Sequence, residues 1–130
     1  MACIKFNEFD MYDNAYLTLR DRYPFSKGYL IKVQDKSKEG YRPDYVIEKQ
    51  IRYNKTSYFH KVVAEVKDEA VIIPAHLTQL NWYAMNHSGK HSFIIAKYLI
   101  IPSGANIETI RSQLIKDSIE IIWLRGFKRS

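Results

Sequence analysis

The chain has 130 residues, 46% of them hydrophobic, and a net charge of +6, which describes one domain with a real core and a preference for anionic partners, nucleic acid before membrane surface. Its single cysteine, Cys3, excludes an internal disulfide and a cysteine-rich zinc site and fits a reducing, cytoplasmic setting. The N-terminal MACIKFNEFD carries acids where a signal peptide has an apolar core, and the longest apolar runs, FIIA and YLIIP, are far too short to span a membrane.

No repeat, low-complexity tract or Pro/Gly-rich linker divides the chain. Asn7 to Arg22 reads as a helix in which Phe9, Tyr12, Tyr16 and Leu19 share one face, with Asp10, Asp13, Asn14 and Arg20 outside it. Tyr23-Pro24 ends that helix. Gly28 to Asp35 alternates as a strand, and Asp35 to Gly40 is a charged turn. Two further strands, Tyr41 to Tyr53 and Lys61 to Lys67, are joined by a turn at Asn54, Lys55, Thr56 and Ser57. Strand parity places Glu65 and Lys67 on one face with Lys61 and Val63, and turns Val62, Ala64 and Val66 into a core. Asp44, Val46 and Glu48 share a face of the second strand.

Pro74 to Asn86 reads as a second helix with Pro74 in its first turn, a core stripe of Leu77, Leu80 and Ala84, and His76, Gln79 and Tyr83 on another face. Ser92 to Ile101 is a long apolar strand for the interior of a sheet. Asn106 caps a third helix with an apolar stripe of Ile107, Ile110, Leu114 and Ile115, and Ile119 to Leu124 is the last strand. The order is helix, three strands, helix, strand, helix, strand. A meander followed by helix-joined strands implies an α/β (α+β) fold: one central mixed sheet flanked by helices.

The stretch from Arg42 to Lys67 concentrates the chemistry. Asp44 and Glu65 are hard oxygen donors on neighbouring strands, and the backbone carbonyl of Val66 is a third. Such a set suits Mg²⁺, which takes one or two carboxylates and keeps waters. Lys67 emerges on the same side of its strand as Glu65, where it can stabilise charge on a phosphate or orient a water. His60 and His76 have no partner at metal-ligand spacing and read as structural or surface residues. No Gly-rich phosphate loop, nucleophile elbow or zinc motif occurs.

At these residues the sequence resembles the PD-(D/E)xK, or restriction-endonuclease-like, nuclease superfamily: Pro43-Asp44 matches the first half of its motif and Glu65-Val66-Lys67 the second. The element order from Asn7 to Ile101 also resembles the family core. The resemblance implies Asp44, Glu65 and the Val66 carbonyl as metal ligands, Lys67 as a catalytic residue, and a first-helix acid in the metal site, Glu8 with Asp10 and Asp13 as rivals. Gln79-Leu80-Asn81-Trp82-Tyr83 is similar to the Gln-x-x-x-Tyr of RecB-type members, which implies that Gln79 supports catalysis and Tyr83 faces the site or a phosphate.

The activity implied is Mg²⁺-dependent hydrolysis of phosphodiesters, with Mn²⁺ as a substitute. DNA is the first candidate substrate, RNA remains open, and both endonuclease and exonuclease action fit. The alternative is a non-catalytic nucleic-acid-binding or protein-interaction module on the same fold. Lys49, Arg52, Lys55 and Lys61 flank the hairpin and are the expected phosphate contacts, near the proposed site. Tyr53, Tyr58 and Phe59 either pack the hairpin or stack on exposed bases. One site per chain makes a symmetric homodimer the simplest way to cut both strands, with the third helix and last strand as its interface.

Overall fold

The computed structural model describes residues 8–33 and 43–128, with side chains described at 11–33 and 43–124. The expected turn at Asp35 to Gly40 lies outside these residues.

The first helix, α1, spans Glu8–Arg22. Its buried stripe is Met11, Ala15 and Leu19, with Tyr12 and Tyr16 packed along the margin. The expected stripe through Tyr12 and Tyr16 is therefore rotated by one residue. A tyrosine keeps its hydroxyl near a polar partner, so it serves the edge of a core better than its centre. Tyr45 Oη donates to Tyr12 O at 2.9 Å, and the Tyr23 and Tyr98 hydroxyls meet at 2.6 Å. These bonds give much of the tyrosine-rich composition a structural use: they tie α1 and the segment after it to the sheet.

The sheet has five strands in the order β1 (Tyr29–Val33), β2 (Tyr45–Tyr53), β3 (Thr56–Val66), β4 (Ser92–Ser103) and β5 (Ile119–Lys128). The first three form an antiparallel meander; β3–β4 and β4–β5 are parallel. This is the mixed α+β sheet expected, with β4 in its interior. The β2–β3 connection is tighter than expected. Asn54 and Lys55 both have positive φ, 49° and 66°, the signature of a two-residue type I′ turn. Thr56 to His60 therefore belong to β3, and the strand starts before Lys61.

Helices cover both faces. On one, α1 packs against Ile47, Val62, Ala64, Val66 and Ile100. On the other, α2 (Pro74–His87) and α3 (Arg111–Lys116) pack against Val46, Val63, Leu99 and Ile101. Val63 is thus as buried as its neighbours, and the Glu65 face of β3 is a second core face, because a strand in the middle of a two-sided sheet has no open side. In α2 the expected stripe of Leu77, Leu80 and Ala84 is buried, and Tyr83 joins it.

The third helix is short, a 3-10 turn at Glu108–Ile110 followed by α3. Asn106 Oδ1 accepts the Glu108 N–H at 2.9 Å, the expected cap. Ile110 and Leu114 are buried, but Ile115 is 83% exposed, since so short a helix presents only one turn to the sheet. Among the described residues no helix is long and apolar enough to cross a membrane.

Candidate active site

The site begins with register. Tyr45 opposes Ala64 in the β2–β3 ladder, so one step further sets Asp44 opposite Glu65. Asp44 and Glu65 are 3% and 2% exposed, the buried charged side chains among the described residues. Both sit at the end of the sheet where β3 finishes and α2 is about to begin. In open sheets with parallel strands this carboxyl end is where ligands bind.

Asp44 is held in place. Its Oδ2 accepts the Val66 N–H at 2.7 Å, and its Oδ1 accepts the Tyr12 hydroxyl at 3.4 Å. Helical periodicity assigns Tyr12 to an apolar stripe by its ring, whereas its hydroxyl reaches the acid. Burial, then the nearby Asp44 charge, pushes the Tyr45 hydroxyl well above the usual tyrosine range, so it stays a neutral donor. Glu65 Oε2 is enclosed and makes no hydrogen bond of its own, while the residue as a whole interacts with its surroundings. Lys67 follows β3 directly; its N–H donates to Ile100 O at 2.9 Å, which extends the parallel ladder and fixes where the lysine leaves the sheet.

The donor set fits a hard cation. Two buried acidic side chains on adjacent strand ends offer the hard oxygen donors that a divalent ion takes. Among the described residues no group of three or more His, Cys, Asp or Glu forms a metal cluster. Glu8 opens α1 one turn before Tyr12, but its side chain and that of Asp10 lie outside the described residues. Asp13 is exposed. Glu48 is engaged elsewhere, in an ion pair with Lys32 at 2.8 Å.

Three further expectations change. Gln79 lies on the outer face of α2 beside His76, but Tyr83 is 3% exposed and packs in the core, so it is not open to a phosphate. The reason is angular: four residues advance a helix by slightly more than one turn, enough here to carry Tyr83 under the helix. The hairpin cations are not at the site. An antiparallel hairpin brings its open ends together and sends its turn away, so Arg52 and Lys55 stand roughly 30 Å from Asp44 and Glu65. Lys49 lies over the Tyr29 ring at 5.1 Å, in the strand row that faces α1. Lys61 shares the Glu65 face, opposite Glu48.

His76, which the sequence reads as structural or surface, stands in the first turn of α2. Its Nδ1 accepts the Ile73 N–H at 3.1 Å, the return half of a capping box. Burial first and then the Lys67 charge hold its pKa below the ordinary value. A wider cleft of about 880 Å³ lies over the other end of α2. Its polar groups satisfy one another: Lys97 Nζ donates to Asn81 Oδ1 at 2.8 Å, and Asn81 Nδ2 donates to Asp117 Oδ2 at 2.8 Å.

No protein-family model and no curated protein matches the chain. Among solved structures, it is similar to the MspJI restriction endonuclease in complex with a 27-mer oligonucleotide, with a TM-score of 0.45 and 15% identity over 92% of this chain. The chain spans about a quarter (25%) of that protein's length.

Proposed function

We propose that this chain is a divalent-metal-dependent nuclease that hydrolyses phosphodiester bonds, most directly in DNA. The observation that carries the reading is the meeting of two buried carboxylates, Asp44 and Glu65, at adjacent strand ends, with Lys67 two residues beyond. Asp44, Glu65 and the Val66 carbonyl would hold Mg²⁺, with Glu8 as a further ligand. The ion, when bound, supplies Lewis-acid stabilisation of the phosphate and an activated water.

The chain's own residues do the rest. Val66 N–H and the Tyr12 hydroxyl fix one Asp44 rotamer, so that carboxylate need not reorganise. Lys67 is anchored by its backbone, and its ammonium would stabilise charge that develops on a non-bridging oxygen. Gln79, on the outer face of α2, would offer its amide for a sugar or phosphate contact. Lys61, in the Glu65 row, is the nearest of the hairpin cations and positions the backbone without reading sequence.

Asp44→Asn is the informative variant, because Asn keeps an oxygen for the Val66 N–H and removes the charge. We expect it to fold, to lose Mn²⁺ binding by calorimetry, and to lose cutting. Lys67→Ala should keep metal binding and lower kcat by about 10²- to 10³-fold. Wild-type protein that is folded, binds no Mn²⁺ and leaves duplex, single-stranded and branched DNA and RNA intact would turn the reading to a non-catalytic binding module.

A further inference from the structure

We propose that the free end of the β2–β3 hairpin is a nucleic-acid-binding arm, which enters the major groove of a duplex and holds the flanking phosphates with Arg52 and Lys55. The partner class rests on the nuclease reading, and the arm grips duplex outside the stretch being cut. Strand pairing defines the arm. β1 accompanies β2 only from Tyr45 to Lys49, and β4 joins β3 only from Phe59 onward. Among the described residues, Gln50 to Tyr58 therefore form a ribbon of two strands with no third neighbour. The two packed cores also stop short of it: on β2 they end at Ile47, and on β3 they begin at Val62.

An isolated two-stranded hairpin is marginal in water, so the ribbon depends on local devices. Its type I′ turn at Asn54 and Lys55 matches the twist of the strands. Gln50 Nε2 donates to Ser57 Oγ at 2.9 Å across the ribbon. The Tyr58 ring packs against His91 and Phe93, with centroids 5.3 and 6.2 Å apart, and braces the root. Four residues per strand beyond the last three-stranded row, Gln50 to Tyr53 on β2, project the tip by roughly 13 Å. The major groove of B-DNA, about 12 Å wide and about 8.5 Å deep, admits a two-stranded ribbon of this reach.

Charge selects the occupant. No Asp or Glu occurs between Glu48 and Glu65, or between Glu69 and Glu108. Glu48, at the root of the ribbon, is taken by Lys32. The hairpin thus carries Lys49, Arg52, Lys55 and Lys61, with Lys90 just before β4. Arg52 and Lys55 are exposed and, among the described residues, form no ion pair. Tyr53, 68% exposed beside them, adds a hydroxyl of the kind that contacts phosphate or sugar. A second copy of the chain would set these cations against themselves, whereas a polyanion releases counterions at every contact. The ribbon is convex, and a duplex groove receives it; a single strand has no groove. The tip stands roughly 30 Å from Asp44 and Glu65, close to one turn of B-DNA, about 34–36 Å. A duplex well under one turn reaches the site or the tip, not both.

Binding is read in EDTA, which prevents cutting, by the anisotropy of a dye on a duplex of about three turns and on a single strand of the same length, each over a range of salt. Wild type should bind the duplex more tightly than the single strand. The double variant Arg52→Ala/Lys55→Ala should weaken duplex binding by roughly 10-fold or more and lower the slope of log K against log salt by about 2. The charge-conserving pair Arg52→Lys/Lys55→Arg should bind as wild type does, which separates lost charge from a damaged turn. With Mn²⁺, the alanine variant should cut a duplex of under one turn as wild type does and the long duplex more slowly. Duplex binding and salt slope unchanged in the alanine variant, or equal wild-type affinity for duplex and single strand, would overturn the arm and leave the nuclease reading standing. Binding lost only to vesicles of phosphatidylcholine with about one-fifth phosphatidylserine would overturn it in favour of a membrane surface. A wild type that cuts nothing yet binds the duplex through Arg52 and Lys55 would support the arm and remove the nuclease reading.

Discussion

Asp44 and Glu65 stand opposite each other by register, and both are buried. Like charges repel, and neither carboxylate has bulk water to screen it. Glu65→Gln removes one charge at nearly constant shape. We expect it to stabilise the metal-free protein by about 0.5–2 kcal/mol, read as a higher Tm in EDTA, and to abolish cutting; a Tm unchanged or lower would mean that the carboxylate is satisfied by its own surroundings. Both acids were legible in the sequence, because Pro-Asp and Glu-x-Lys stand out on strand-like runs. Tyr12 was not, because a hydroxyl that reaches a residue far along the chain leaves no trace in local periodicity.

At the scale of elements, the β2–β3 hairpin and α2 set the geometry. The type I′ turn needs positive φ at two positions, and Lys55 at 66° is a residue that resists it. Lys55→Gly should raise stability by about 0.5–1 kcal/mol in a denaturant titration and leave the cutting of short substrates unchanged, since the tip is remote from the site. Helix α2 carries a histidine near each end. His76 and His87 are both held below the ordinary value of 6.5, each by burial first and then by a lysine, Lys67 and Lys61 respectively. The folded state therefore resists protonation that the unfolded chain accepts. Stability is complete above about pH 6.5 and falls as pH drops through that value towards the folded-state values. His87→Gln should flatten the decline of Tm between pH 7.5 and 5.5; an unchanged slope would place the titration elsewhere.

For the molecule as a whole, the site joins parts that are distant in the chain. Asp44 precedes β2, Glu65 and Val66 end β3, and Tyr12 comes from α1. A ligand held there binds only the assembled fold, so it stabilises the entire unit by mass action. With Mg²⁺ at about 100 times its Kd we expect Tm to rise by roughly 5–10 °C, and Asp44→Asn to remove that rise. An equal rise in both proteins would assign the effect to ions elsewhere on the surface. Core positions respond without reference to metal: Leu80→Ala should lower stability by about 2–5 kcal/mol, because α2 is seated by that side chain.

The element order, the meander, the parallel pairing of the helix-joined strands and the core stripe of α2 were all determined by the sequence, because periods of 2 and 3.6 and turn chemistry act over a few residues. The positions of Asp44, Glu65 and Lys67 were equally visible. Tertiary structure alone decided that Asp44 stands opposite Glu65, since that follows from the register of a whole hairpin. It also decided that both sheet faces are covered, that the buried stripe of α1 is Met11, Ala15 and Leu19, and that Tyr83 is buried while Gln79 faces outward. The distance of Arg52 and Lys55 from the site belongs to the same group. Each depends on which distant surfaces meet, and burial against a partner outweighs the small angular differences that a helix or strand pattern can express.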